Sequence, residues 1–331
     1  MADLTIIMPA FNKEKYIAEA LDSIFSQRTG YSYEIVVADD CSTDGTLDIV
    51  ARYEKAHPGA IRVLRSDRNL KLFRNVVRVY ADLRTPYFCV LDPDDYWTDP
   101  LKIQKSLDFL ETHRDFTVYT ANSLMRGPGQ ERPYVACPQA LDSDFDDYLR
   151  GHAALGQTAG AVYRNVVFAE GLPPALRNLR PDQERTFRGD AFRNLVHLHE
   201  GRAHFEPACE AVYRLTDEGL WQGATELRRR LANVLLFLNM DEYFDCRHDG
   251  LLAMAECRYR AVLADLPSLL PDEPDMSAVR DRLSAVVELG RRLKAADADG
   301  RRMARSLSFR HRLYYLAYRW LSRKGKRQGW S

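Results

Sequence analysis

The sequence predicts an α/β fold, a mostly parallel sheet flanked by helices with a C-terminal helical extension. Three observations predict it. Over the first 125 residues, short β-branched runs alternate with stretches of helical periodicity, the pattern of strands joined through crossover helices. Hydrophobic residues make up 46% of the 331 and charged residues 28%, which fits a globular chain and excludes bulk disorder. From about residue 225 the strand-like runs give way to helical spacing.

The elements follow in order. Leu4–Met8 is an apolar run that Pro9 ends. Tyr16, Ile17, Ala20, Leu21, Ile24 and Phe25 share one face of a helix within 13–27. Glu34–Ala38 is a second run, stopped by Asp39-Asp40, and the turn at Asp44-Gly45 leads into helix to about His57. Ile61–Leu64 is a third strand, 70–83 a helix, and Tyr87–Leu91 a fourth strand ending at Asp92. The middle, 126–222, is irregular apart from a strand at Ala159–Tyr163. Helix is expected over 225–264, then a linker punctuated by Pro267, Pro271 and Pro274, then helix over 278–296 capped by Ser277.

Net charge is zero, with 47 basic and 47 acidic side chains, but the two signs are segregated. Residues 301–331 hold ten basic side chains and no acidic one, which leaves 37 basic and 47 acidic groups in the preceding 300. On a helical wheel, Met303, Leu307, Tyr314, Ala317, Tyr318 and Leu321 oppose Arg301, Arg305, Arg312, Arg319 and Arg323. Such a tail suits an anionic membrane surface, and equally suits packing on the acidic body or a homo-oligomer contact. It carries no nucleic-acid recognition module. No run approaches 18 apolar residues, and the N-terminus lacks a basic n-region with an apolar stretch behind it, which argues against secretion. Six cysteines lie far apart with no C-x-x-C, and His197, His199 and His204 lack cysteine support, so neither a disulfide framework nor a zinc site is expected.

Ligands of open parallel sheets bind beyond the carboxyl ends of the strands. Asp39 and Asp40 follow the second run directly, and Asp92-Pro93-Asp94-Asp95 the fourth. Acid clusters at neighbouring strand ends repel unless compensated, most simply by a hard divalent cation shared with substrate phosphates. Asp44 is read instead as a turn-former. There is no G-x-G-x-x-G and no G-x-x-x-x-G-K-[ST], which disfavours a dinucleotide oxidoreductase and a P-loop enzyme.

Pro9-Ala10-Phe11-Asn12, Val36–Thr46 with its Asp39-Asp40, and Leu91-Asp92-Pro93-Asp94-Asp95 resemble, in order and spacing, the signatures of family 2 glycosyltransferases. The clear resemblance covers residues 3–125 and continues more weakly to about 223. It implies a GT-A fold, a nucleotide-sugar donor (UDP-, dTDP- or GDP-sugar), Mn²⁺ or Mg²⁺, and inversion at the anomeric carbon. Pro9, Ala10, Phe11, Asn12, Asp39 and Asp40 would then line the nucleotide pocket, with Asp40 accepting from base or ribose. Phe11 as a core residue and Asn12 as a helix cap stay open. Asp94 and Asp95 would serve the D-x-D role, one reaching the ribose and one the metal; Asp92 fills the first place of a D-x-D, so the assignment among the three is open. Arg74 either meets the donor or is a solvated helix-face arginine.

An inverting transfer needs a carboxylate beside the acceptor hydroxyl. The family places it about 100 residues beyond the D-x-D at a helix start, where Gly189-Asp190-Ala191-Phe192-Arg193 stands; Asp190 is the expected base, with Asp182 and Glu184 as competitors. There is no Q-x-x-R-W, so a non-processive enzyme adding one sugar is expected. Val212–Trp221 resembles a family segment with Y-R followed by histidine, but Thr216 or Asp217 stands at the histidine's place, and Trp221 could stack on an acceptor sugar. The resemblance further implies a glycan or lipid-linked acceptor, surface polysaccharide synthesis, and a cytoplasmic location, peripheral on the inner membrane. The organisation expected is a domain over 1–223 with a donor half to 125 and an acceptor half beyond it, a helical region over 224–300, and the tail. The rivals are a nucleotidyltransferase and a non-catalytic nucleotide-sugar scaffold.

Overall fold

The structure, a computed structural model, describes residues 2–187, 189–216, 225–269, 284, 286–293 and 295. Trp221, Ser277 and the 301–331 tail lie outside the described residues. The chain divides into two compact units, 1–217 and 218–331. Among the described residues no helix is long and apolar enough to cross a membrane.

In chain order the first unit comprises β1 (Leu4–Ala10), α1 (Ile17–Phe25), β2 (Tyr33–Asp39), α2 (Thr46–Ala56), β3 (Ile61–Arg65), α3 (Leu72–Ala81), β4 (Tyr87–Val90), β5 (Tyr96–Trp97) and α4 (Lys102–Thr112). It continues with β6 (Phe116–Gly127), β7 (Gln130–Pro133), β8 (Leu141–Ser143), α5 (Phe145–Arg150), β9 (Ala161–Arg164), α6 (Pro181–Thr186), α7 (Asp190–Glu200) and β10 (Arg202–Arg214). One sheet runs in the order β3-β2-β1-β4-β9-β6-β10-β5, with β7 beside β6 and β8 beside β10. β3, β2, β1 and β4 pair in parallel, β9 is antiparallel to both its neighbours, and β6 and β10 are parallel to each other. The two antiparallel steps through β9 restore direction, so β1, β2, β4, β6 and β10 all end on one edge. Chain order turns at β1, with β2 on one side and β4 on the other, which makes that edge a switch-point crevice.

Pro9 does not end the first strand. In a parallel strand alternate residues direct N–H and C=O to opposite neighbours. The Ile7 carbonyl accepts from Leu91 N on the β4 side, and the Ala10 carbonyl accepts from Asp40 N on the β2 side. Pro9 therefore turns its missing donor toward β4, past the last bond between those strands, where no donor is needed.

β6 and β10, absent from the sequence reading, form the second half of the sheet. Their registers shift between Glu206 and Cys209, around Pro207, and β6 buries Thr117, Thr120, Asn122 and Ser123. A buried charge network fastens them: Lys102 Nζ donates to the Gly160 carbonyl at 2.8 Å, and Glu210 lies 3.6 Å from Lys102 and 3.0 Å from Lys105.

In the second unit, α8 (Glu226–Tyr243) and α9 (Asp249–Leu269) form a helical pair. The single helix expected over 225–264 is broken because Asp245 and Cys246 take φ of 50° and 61°, left-handed backbone that a helix does not admit. Pro267 falls in the last turn of α9 rather than in a linker. Tyr259 Oη donates to the Val286 carbonyl at 2.9 Å, holding a further helical stretch against α9.

Candidate active site

The strand-end residues divide into two groups by what their polar atoms do. On the β1–β2 side they build loops. Asp39, expected against the nucleotide, is fully buried, and both its oxygens accept from Ser42 N, which closes its own turn. Asp40 is 4% exposed and accepts from Leu70 N at 2.6 Å and Lys71 N at 2.9 Å, fixing the approach to α3. Asp44 accepts from Glu14 N and Thr46 N, the turn role assigned to it, and these bonds hold its carboxyl below the ordinary range although burial opposes them. Pro9 and Ala10 are buried, whereas Phe11 is 44% exposed. Asn12 lies at φ 53°, accepts from Thr43 N at 2.8 Å and donates its backbone N–H to Ser42; it ties two loops together and does not cap α1. Arg74 is an exposed partner of Glu184 at 2.8 Å.

On the β4 side the acids are less satisfied. Burial pushes the Asp92 carboxyl up to about 6, with the Asp94 charge adding to it and Arg193 and Lys13 opposing. Asp94 Oδ2 lies 2.6 Å from Lys13 Nζ. Asp95 behaves differently: it is 2% exposed, accepts from Gln157 Nε2 at 2.7 Å and from Arg214 N at 2.9 Å, and so pins the acid loop to the end of β10. Burial and the neighbouring Asp92 and Asp94 raise its carboxyl well above the usual range.

Asp190 is the first residue of α7, and its one side-chain hydrogen bond in the structure runs from Ala191 N to Oδ1. The N-cap position belongs to Gly189. The fold brings Asp190 into electrostatic reach of Asp92 across nearly 100 residues of chain. The competitors are occupied on α6: Asp182 by Arg180 and Glu184 by Arg74.

Between the acids lies a residue that sequence reading passed over. Arg193 is 3% exposed, donates to Thr158 Oγ1 at 3.2 Å, and its charge acts on the hydroxyls of Tyr80 and Tyr163. Burial opposes its charge; the two tyrosines, Asp190 and Asp92 outweigh that and favour it. Below it, His197 donates Nδ1–H to the Arg193 carbonyl at 2.7 Å among Phe88, Tyr163 and Phe168, while its Nε2 is buried without a partner. His204 bonds Asp142, so the histidines do not converge on a metal.

Among the described residues no three His, Cys, Asp or Glu side chains form a metal-holding group by themselves. The residues still fit a magnesium-like ion. Asp92 and Asp94 are half-buried, all-oxygen donors close enough for their charges to repel, and such ions take one or two carboxylates and complete their shell with substrate phosphates and water.

The family model for glycosyl transferase family 2 matches residues 5–153, spanning all three strand-end motifs. Over that segment, 149 of its 331 residues, the chain is similar to family 2 glycosyltransferases. An uncharacterized protein of Mycobacterium tuberculosis is 29% identical over 229 residues, 69% of this chain and 63% of that protein, so the chain spans less than two thirds of that relative's length. The structure of Staphylococcus aureus TarS residues 1–349 with UDP-GlcNAc superposes with a TM-score of 0.68 at 18% identity, covering 99% of this chain and 92% of that one. The mannosyltransferase PcManGT of Pyrobaculum calidifontis, in complex with GDP-Man and Mn²⁺, matches with a TM-score of 0.50 at 17% identity over 90% and 86% of the two chains. These likenesses establish the GT-A fold of the family.

Proposed function

We propose that this protein is a metal-dependent, inverting glycosyltransferase that moves one sugar from a nucleotide-sugar to a glycan or lipid-linked acceptor. The observation that carries the reading is the convergence of Asp190 on the Asp92–Asp94 pair at the switch-point edge. Asp92 and Asp94 would hold the divalent ion, whose chemistry is to neutralise charge on a departing diphosphate. Asp95 has no such role, since both its oxygens are committed inside the fold. Asp190 accepts the proton of the acceptor hydroxyl while that oxygen attacks the anomeric carbon from the face opposite the diphosphate, which inverts the centre. The buried Arg193, which feels the charges of both Asp190 and Asp92, opposes the burial that raises the Asp92 carboxyl. Side chains fixed on α7 and on the strand ends hold both partners in line without reorganisation.

The neighbours' donors, UDP-GlcNAc and GDP-Man, support a nucleotide-sugar here. The test is release of nucleoside diphosphate from a panel of UDP-, dTDP- and GDP-sugars with Mn²⁺, with the product's anomeric configuration read by NMR. Diphosphate release with inversion is expected. Pyrophosphate release would point to a nucleotidyltransferase, and no release or nucleotide-dependent thermal shift to a scaffold. We also propose that 301–331 meets anionic membrane on the cytoplasmic face, in surface polysaccharide synthesis; equal sedimentation of the full chain and residues 1–300 with anionic vesicles would remove that role.

A further inference from the structure

The three acids leave one side of the site unexplained, the side of the β6–β7 hairpin. β6 and β7 pair through Gly127↔Gln130, and the chain leaves β7 at Tyr134. That residue is 38% exposed, among the few large apolar side chains so exposed in the first unit. Its position is nevertheless fixed. Tyr134 N donates to the Ser123 carbonyl at 2.8 Å, and the buried Asn122 brackets Val135, donating Nδ2–H to its carbonyl at 2.8 Å and accepting its N–H at 3.0 Å. Tyr213, near the end of β10, meets the Tyr134 ring edge-to-face with centroids 6.1 Å apart. Tyr148 stands on α5, which packs on α7, the helix that Asp190 begins. Burial of the Tyr134 hydroxyl raises its pKa, and the charges of Asp190, Tyr213 and Tyr148 add to it.

A pyranose ring has a rigid face of C–H bonds, and aromatic rings carry negative charge on their faces, so the two stack. Rigid tyrosines supply such contact at low entropic cost. An alditol phosphate has no comparable face. We infer that Tyr134 and Tyr213 form a stacking platform for a pyranose ring of the acceptor, so that this enzyme extends a glycan end rather than an alditol phosphate. The inference rests on the proposed transferase reading; only the direction in which the platform presents a ring hydroxyl rests on Asp190 being the base.

Saturation-transfer NMR on the full chain with UDP and Mn²⁺ tests it, with methyl β-D-glucopyranoside, methyl β-D-galactopyranoside and ribitol 5-phosphate as probes. Saturation should reach the protons of one pyranoside face. Tyr134→Ala should weaken pyranoside binding about tenfold, the size of one aromatic contact, while Tyr134→Phe retains it. The UDP-dependent thermal shift, read on the same samples, should stay in place and shows that the variants are folded. Tyr213→Ala is the second variant and should also lose the pyranoside signal. Absence of pyranoside saturation in the unmodified protein overturns the inference. So does a signal unchanged in both alanine variants, or ribitol 5-phosphate saturation that Tyr134→Ala abolishes. Asp190→Asn separates the two readings: it should keep the pyranoside signal and lose turnover, and retained turnover would remove the base without touching the platform.

Discussion

The β1–β2 side of the site and the β4–α7 side both carry aspartates at strand ends, yet the two sets are held in opposite ways. Asp39, Asp40 and Asp44 accept uncharged backbone N–H groups, from Ser42, from Leu70 and Lys71, and from Glu14 and Thr46 respectively. Asp92, Asp94 and Asp190 face charges delivered from far along the chain, Lys13 and Arg193, and one another. A carboxylate saturated by backbone donors shapes a pocket. One left short of donors still has bonds to give to a ligand, and that difference sorts structural from chemical acids more sharply than position does.

Substitution on each side sharpens or breaks that contrast. The largest effect should come from Asp190→Asn, with turnover about a thousandfold lower and nucleotide affinity within about twofold, measured by diphosphate release and calorimetry. Asp94→Ala should weaken Mn²⁺-dependent nucleotide binding by about tenfold to a hundredfold while unfolding within about 1 kcal/mol of the unmodified protein, because only a partly exposed ion pair is lost. Asp40→Ala should show the reverse pattern: it strands the Leu70 N–H, leaves Lys71 N–H with Asn69 alone, and should cost about 2 kcal/mol in denaturant unfolding. If Asp40→Ala left stability intact and Asp94→Ala unfolded the domain, the two sides would have been assigned the wrong way round.

The smallest effect is one of pH and concerns the floor beneath Arg193. Burial pushes His197 down to about 3, with the Arg193 charge also opposing protonation. Between that value and the ordinary 6.5 the unfolded chain binds a proton that the folded one refuses, so stability is lost as pH falls through this window. His197→Phe should remove up to about 1.4 kcal/mol per pH unit from the slope of urea stability between pH 6 and 4. An unchanged slope would mean that His197 is not held neutral.

Much of the first half of the fold was legible because β1 to β4 are apolar runs with helical spacing between them. β6 and β10 were not: Thr117, Thr120, Asn122 and Ser123 are buried, the first three with polar partners, and Pro207 interrupts the second strand, so neither reads as an apolar run. The acid clusters could be found from strand ends alone, but their division could not. Asp95 and Asp94 are adjacent, and what separates them is a backbone N–H at Arg214 and an ammonium at Lys13, neither of which any local pattern announces. Arg193 was missed because arginine in an amphipathic helix ordinarily points to water. Tyr134 and Tyr213 carry no periodic signal, and only strand pairing brings them together.

Past Ile7, strands β1 and β4 part company with a proline on the lip of the gap. Because Pro9 has nothing to donate, an extended peptide laid into that seam would find one rung of the ladder missing at its first step. The mouth thus resists being zipped shut by a stray strand, from this chain or another, and stays available to molecules that bring phosphates and rings instead of amides.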